Sequence, residues 1–586
     1  MPLTCPRSLA RGLTTATALF VLLGCASTTP SRAPAQPARA AQSCESLSAQ
    51  FEHPQTRLLS TERVAAGQLK LPGIAEAMPE HCVVKGRMNE RVSPMDGKSY
   101  AISFEMRLPT DWNGRFFYQA NGGLDGFVTP AYGDILGGGP KSNGLLKGYA
   151  VISSDAGHAF DRSTPIGGAL FGVDPQARLD YGYNAVAQLT PMAKALIRRY
   201  YGKGPDRSYL VGTSNGGRHG MVAAARLPDA YDGILVSTPG YNLPRAAVAQ
   251  VWGAQQFATV SRINPTSLRP ELRSAFSAAD LSFVAQRVLA RCDALDGIAD
   301  GWVADLQQCQ REFDLSRDVP SCPDNASAAN AGQCLSAAQK QVLARVMAGP
   351  VDAQGRRIYT GLAWDPGLAG KDWASWKFDY SVGPRDAIAL AFVMSTPPAS
   401  PQVVNGQGNS LIDYALTYPI QDAEARINAT NATYSQSALQ FMTPPDVTFQ
   451  DFVNRGGRIV VLHGSADPVF SVQDTAQWYD RFTKTHRQRA AQHARFYIVP
   501  GMNHSRGGPA TDQFDMLEPL VNWVERDVAP EAVVASARGA DSPVPNPEVP
   551  REWSPARTRL LCPYPQVARY SGRGDSESAG SFRCAP

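Results

Sequence analysis

The stretch GTSNGGRHG, residues 212–220, sets Ser214 between glycines, directly after the apolar run SYLV and directly before a segment with the composition of a helix. A Gly-x-Ser-x-Gly pentapeptide is weak evidence by itself in a chain that holds 51 glycines. Its flanks carry more, because a strand, a sharp turn and a helix form the setting in which a serine is held at a strained backbone and exposed at a sheet's carboxyl edge. Glycine at 212 and 216 lets the two arms of such a turn close on each other. The reading of this stretch is a nucleophile at Ser214.

Working outward, short β-rich runs recur: SYAISFEMRL (99–108), GRFFYQA (114–120), GYAVISSD (148–155), RSYLVG (207–212), GILVSTP (233–239), GRIVVLHG (457–464) and ARFYIVPG (494–501). They alternate with helix-length segments such as 184–202, whose apolar residues fall at three- and four-residue steps. This alternation predicts an α/β fold with a mostly parallel sheet covered by helices. Two further residues follow predicted strands. GRIVVLHG leads into SADPVF and Asp467, and ARFYIVPG leads into MNHSRGG and His504.

The order Ser, Asp, His along the chain, each after a strand, is that of an α/β-hydrolase core. His463 is the rival histidine, but it lies within the strand itself and before Asp467. In this scheme His504 takes the Ser214 proton and Asp467 orients and stabilises the imidazole. The developing oxyanion needs N–H donors. Asn215, after the nucleophile, is one, and Gly122 in NGGLDG (121–126), with Gly123 as the alternative, is the other.

Between about Tyr241 and Thr448 the strand signal stops, and Trp364, Trp373, Trp376, Phe378 and Tyr380 cluster instead. The expected organisation is a catalytic domain over 44–240 and 449–586, with a lid domain over 241–448 inserted between nucleophile and acid. Within the insertion, CDALDGIADGW places Asp293, Asp296 and Asp300 at three- and four-residue steps. Those carboxylates with the carbonyls of Ile298 and Trp302 could wrap Ca²⁺, and an acidic turn is the equal alternative from residue chemistry alone.

Arg7 and Arg11 precede an apolar stretch over 13–23 that is too short to span a bilayer, so residues 1–25 are expected to be an export signal. LLGC, ending at Cys25, has the form of a lipobox, with cleavage after the A-R-A of 38–40 as the alternative. The expectation is a lipid-anchored or otherwise exported chain, with residues 26–43, rich in Ala, Pro, Ser and Thr, as a tether. Excluding Cys5 and Cys25 leaves Cys44, Cys82, Cys292, Cys309, Cys322, Cys334, Cys562 and Cys584, an even set with no CxxC spacing. That implies disulfides, and sequence proximity favours pairing them in the order written, among about 105 formal connectivities.

With 56 basic and 52 acidic residues, a net charge of +4 and 43% hydrophobic residues, the chain is a folded protein without an electrostatic footprint for nucleic acid or an anionic membrane.

The NGG loop, GTSNGGRHG, CDALDGIADG, HGSADPVFS, PGMNHSRGGPATDQFD and the C-terminal LCPYPQVARY together resemble the tannase and feruloyl esterase family, which includes hydrolases of terephthalate monoesters. The resemblance spans nearly all of the expected mature chain. It implies an α/β-hydrolase core, an inserted lid, a structural Ca²⁺ held by Asp293, Asp296, Ile298, Asp300 and Trp302, and hydrolysis of esters of aromatic acids. The disulfide pairs favoured above agree with the family's pattern.

Two departures stand out. Family members usually carry cysteines before the nucleophile and after the catalytic histidine, joined to each other; here Thr213 and Ser505 take those places. Neither cysteine performs chemistry, so turnover is expected to survive, although a binding protein without turnover is the reading from another class. In the terephthalate-monoester branch a lid Arg and Phe grip the substrate, and Arg385 and Trp376 are the candidates here for carboxylate and ring.

Overall fold

The computed structural model describes residues 34–138, 142–323 and 331–586. Its frame is a nine-stranded mixed sheet: β1 (Thr56–Val64), β2 (His81–Val92), β3 (Ser99–Pro109), β4 (Arg115–Ala120), β5 (Ala150–Ser154), β6 (Arg207–Thr213), β7 (Gly233–Ser237), β8 (Arg458–Gly464) and β9 (Ala494–Val499). The order across the sheet is β9-β8-β7-β6-β4-β5-β3-β2-β1. Every neighbouring pair from β9 to β5 is parallel, and the β5–β3, β3–β2 and β2–β1 pairs are antiparallel. The fold is therefore α/β, with the runs quoted above forming β3 to β9.

The two-residue period of the strands divides the interior. Leu210, Ile234, Val236, Ile459, Val461 and Phe496 face one core, whereas Tyr209, Val211, Leu235, Val460, Leu462 and Tyr497 face the other. Helix α1 (Ala185–Tyr201) covers the first face with Leu189, Met192, Ala193, Leu196 and Ile197, residues three or four steps apart, and ends at Gly202 with φ of 77°. Helix α2 (Asn215–Arg226) lies beside it. Truncating a wholly buried side chain such as Leu210 to Ala would cost about 2–5 kcal/mol.

Between β7 and β8 the described chain adds helices and isolated bridges but no strand to the main sheet. Helices α3 (Leu243–Ala258) and α4 (Ala278–Cys292) centre an apolar cluster that also takes in Trp373, Phe378 and Phe392. The same cluster includes Leu124, Phe171 and Tyr181 from before β6, so the insertion is packed directly onto the loop that follows β4.

The four disulfides pair Cys44–Cys82, Cys292–Cys309, Cys322–Cys334 and Cys562–Cys584, the pairing that sequence proximity favours. Cys25 and the rest of residues 1–33 lie outside the described residues. The tether expected to reach residue 43 ends earlier: Ala38 and Arg39 pair with Trp112 and Asp111, and the Ala35 N–H donates to Glu525. Composition alone misses this because the backbone, not the side chains, makes the contacts. No helix among the described residues is long and apolar enough to cross a membrane.

Candidate active site

Ser214 sits between β6 and α2 at φ 60° and ψ −122°, a conformation that L residues rarely adopt. The flanking glycines make the turn possible: a Cβ on Gly212 would lie 2.5 Å from the Gly216 carbonyl carbon and 2.9 Å from the Ala120 Cβ. The Ser214 N–H donates to Ser237 O at 2.9 Å and its carbonyl starts the helix by accepting from Arg218 N at 3.0 Å. Backbone bonds thus hold the strained residue and leave its hydroxyl free to turn outward.

That hydroxyl lies 2.8 Å from His504 Nε2. On the other side of the ring, Nδ1 is 3.0 Å from Asp467 Oδ2 and 3.1 Å from Oδ1. With the ring proton on Nδ1 donated to Asp467, Nε2 is the acceptor for the Ser214 hydroxyl. Asp467 also accepts from the N–H groups of Val469 at 2.7 Å and Phe470 at 3.2 Å. Burial opposes its charge, yet the facing His504 and the hydrogen bonds from both histidines hold its carboxyl well below the ordinary range. The arrangement can activate the hydroxyl and store the proton it loses.

His463 is on the far side of Asp467, 3.3 Å from Oδ2, with Nδ1 bonded to Thr475 Oγ1 at 2.8 Å and Nε2 within 3.0 Å of Phe470 O. It steadies the carboxylate and does not face Ser214.

Asn215 opens α2, so its N–H belongs to the first turn, where donors lack an intrahelical acceptor. Gly122 lies against Ser214, its ideal Cβ position 3.8 Å from Ser214 Cβ. The loop is tied down on all sides. Asn121 Nδ2 donates to Ser153 Oγ at 2.9 Å and Ser154 O at 2.8 Å, and Tyr181 OH donates to Gly123 O at 3.3 Å.

A buried network that the sequence reading missed joins this loop to α2. Asp125, at φ 54°, accepts from Asn215 Nδ2 at 2.8 Å and His219 Nε2 at 3.0 Å, while Arg218 Nε donates to Asn215 Oδ1 at 2.6 Å. Burial pushes the Asp125 carboxyl up to about 7 against the pull of His158 and Arg218, and burial with the Arg218 charge pushes His219 far down. The available signal was the four-residue step from Asn215 to His219, which puts both on one helix face.

At the positions of the missing cysteines, Thr213 Oγ1 donates to Ser505 Oγ at 2.7 Å, and Thr238 Oγ1 is 2.9 Å from the same oxygen. Hydroxyls therefore join the end of β6 and the residue after β7 to the loop that carries His504.

Trp376 and Arg385 both reach the site. They line a small cleft of about 30 Å³ together with Ser214, Asn215, Gly123 and Phe470. The Trp376 ring stands edge-on to His504 at 5.3 Å between centroids, and the Arg385 guanidinium lies 5.3 Å from the Trp376 ring centre. Among the described residues Arg385 makes no hydrogen bond or ion pair.

The acidic loop lies elsewhere, under the C-terminal segment. Asp293 accepts from the N–H groups of Asp300, Gly301 and Trp302 at 2.9–3.2 Å, and Asp300 pairs with Arg559 and Arg557. Among the described residues no three His, Cys, Asp or Glu side chains stand ready as a metal cluster. Asp296 Oδ2 and Asp300 Oδ1 are nevertheless buried without any donor, and Asp296 is pushed up to about 7 by burial and by the charges of Asp300 and Asp293. Two orphaned carboxylate oxygens suit a hard cation.

The family profile for tannase and feruloyl esterase matches residues 82–585. Mono(2-hydroxyethyl) terephthalate hydrolase of Piscinibacter sakaiensis is 38% identical over 544 residues, covering 87% of this chain and 86% of that protein. A probable feruloyl esterase B-1 of Neosartorya fischeri is 25% identical, with 82% of each chain covered. The crystal structure of feruloyl esterase B from Aspergillus oryzae superposes with a TM-score of 0.71 at 22% identity, covering 92% of this chain and 99% of that one. Tannin acyl hydrolase from Aspergillus niger gives 0.61 at 19% identity, over 91% and 92% of the two chains. The chain belongs to the tannase and feruloyl esterase family and is a carboxylic ester hydrolase.

Proposed function

We propose that the chain hydrolyses esters of aromatic carboxylic acids through an acyl-enzyme on Ser214. The supporting observation is the continuous hydrogen-bonded run from Ser214 Oγ through His504 to Asp467, set beneath Trp376 and Phe470. His504 Nε2 takes the hydroxyl proton as Oγ attacks the ester carbonyl carbon. The resulting oxyanion is met by the N–H groups of Asn215 and Gly122, each such donor being worth about 10²–10³ in rate. His504 then gives the proton to the departing alcohol oxygen, and a water that it deprotonates releases the acid.

The insertion acts as a lid. The cleft of about 30 Å³ admits an aryl group only when Trp376 or Arg385 swings aside. Arg385, beside Trp376 and with its charge acting on Asp125 and Asp386 but without a hydrogen bond or ion pair among the described residues, supports a narrower reading in which the acid carries a second, free carboxylate, as in terephthalate monoesters. The Asp293–Trp302 loop holds a structural Ca²⁺ in this reading, with Asp296 and Asp300 supplying the orphaned oxygens and the Ile298 and Trp302 carbonyls beside them. Four disulfides suit an exported protein.

Methyl ferulate, methyl gallate and a terephthalate monoester, assayed side by side with Ser214→Ala as control, test the proposal. Turnover of at least one ester, abolished in the variant, is expected. Binding of all three without turnover would favour the binding-protein reading instead.

A further inference from the structure

A second cavity, of about 570 Å³, is lined by Gly122 and Thr213, the residues next to Gly123 and Ser214 of the triad cleft. The loop after β4 forms the partition: Gly123 and Leu124 face the triad cleft, whereas Gly122, Asp125 and Phe127 face the larger space. Its volume falls within the roughly 300–1,000 Å³ of small-molecule sites. We propose that this cavity receives the alcohol half of bulky esters, and that the alcohol it selects is an aryl or otherwise largely apolar one. The inference rests on the acyl-enzyme reading given above.

Two features locate the alcohol there. The acyl and alcohol halves diverge from the tetrahedral carbon on Ser214. With one half held in the cleft beneath Trp376 and Arg385, the other passes Gly122 and Thr213. The leaving oxygen must also face His504, and Arg506, two residues further on, stands at the edge of the cavity.

The chemistry of the walls decides the class. Leu71, Ile74, Phe127, Pro130, Ile135 and Val211 supply apolar surface. The amides that could bind a polyol are already engaged: Gln119 Oε1 accepts from Gly133 N–H at 2.8 Å and its Nε2 donates to Pro130 O at 3.2 Å, while Asn143 Oδ1 accepts from Leu146 N–H at 2.7 Å. Thr129, Tyr132, Asp134 and Ser142 also line the cavity and can meet a few hydroxyls, but the apolar walls leave the rest of a sugar-like alcohol without partners, which disfavours it. An aromatic ring meets no such penalty. Arg506, whose charge also acts on Asp134 in the lining of the same cavity, can meet an acidic substituent on that ring.

The test compares methyl and benzyl esters of one aromatic acid in the wild type, Ile74→Trp and Phe127→Ala. Ile74 and Phe127 are partly exposed, so both variants are expected to fold. Filling the cavity in Ile74→Trp should lower the benzyl-to-methyl ratio of kcat/KM by about tenfold or more, the scale of pocket discrimination, with methyl-ester turnover within about twofold of wild type. Phe127→Ala should leave the methyl ester alone and change only the benzyl value. Benzyl alcohol should inhibit wild-type methyl-ester hydrolysis, and more weakly in Ile74→Trp. An unchanged ratio in both variants, with methyl-ester turnover intact, would overturn the inference. So would equal inhibition by benzyl alcohol and glycerol in the wild type. A wild type that hydrolyses neither ester would instead remove the acyl-enzyme reading beneath it.

Discussion

Asp467 and Asp296, in the loop from Asp293 to Asp300, are both buried carboxylates, and their surroundings shift them in opposite directions. At Asp467 the oxygens receive two backbone N–H groups and face two histidines, and the charge is held below its ordinary pKa range. In the loop, Asp293 accepts from three backbone N–H groups and Asp300 pairs with Arg557 and Arg559, but Asp296 Oδ2 and Asp300 Oδ1 have no donor, and Asp296 is pushed up to about 7. A buried carboxylate is stable where the protein itself supplies the donors; elsewhere it needs a counter-charge from outside. Asp467 is therefore satisfied by the protein alone, whereas two oxygens of the loop are not.

The sharpest way to break this comparison is Asp467→Asn. The backbone donors can still bond the amide oxygen, so folding should persist, but the imidazole loses the partner that fixes its tautomer. A fall of about 10⁴ in kcat is expected, with the circular dichroism spectrum unchanged. A loss below tenfold would mean that Asp467 is a structural carboxylate only.

The loop should respond to calcium and not to triad mutations. Chelation is expected to lower the melting temperature, and saturating Ca²⁺ at about a hundred times its Kd should restore about 2.7 kcal/mol. Asp296→Ala should abolish that response while leaving kcat of the folded enzyme nearly unchanged. Identical melting with and without Ca²⁺ in the wild type would make the loop an acidic turn.

The smallest effect concerns the hydroxyl contact that joins the two catalytic loops. A hydrogen bond such as that from Thr213 to Ser505 contributes about 1 kcal/mol, against about 2–4 for a disulfide. Thr213→Cys with Ser505→Cys should form a bridge and raise the melting temperature. Two titratable thiols in the oxidised double variant would refute this.

Much of this architecture is readable in the chain because buried parallel strands are written as continuous apolar runs, and GILVS and RIVVLHG could be little else. Strands β1 and β2 were not, since TRLLSTERV and HCVVKGRMNERV interleave charged residues at the sheet's antiparallel end, where one side faces water. Ser214, Asp467 and His504 were legible because each follows a strand, and strand ends converge at one rim. The Asp125–His219 pair was hidden for the opposite reason: Asp125 sits in a glycine-rich loop whose partner is fixed only by tertiary packing. Trp376 and Arg385 could be named but not placed, because nothing in an irregular insertion fixes which side chains turn toward the sheet.

Intact-protein mass spectrometry of the enzyme mixed with a p-nitrophenyl ester of an aromatic acid tests the central claim most directly. The expected result is a transient mass gain equal to the acyl group, mapped to the peptide containing Ser214 and absent from Ser214→Ala. Acylation at another residue, or undiminished hydrolysis by Ser214→Ala, would contradict it.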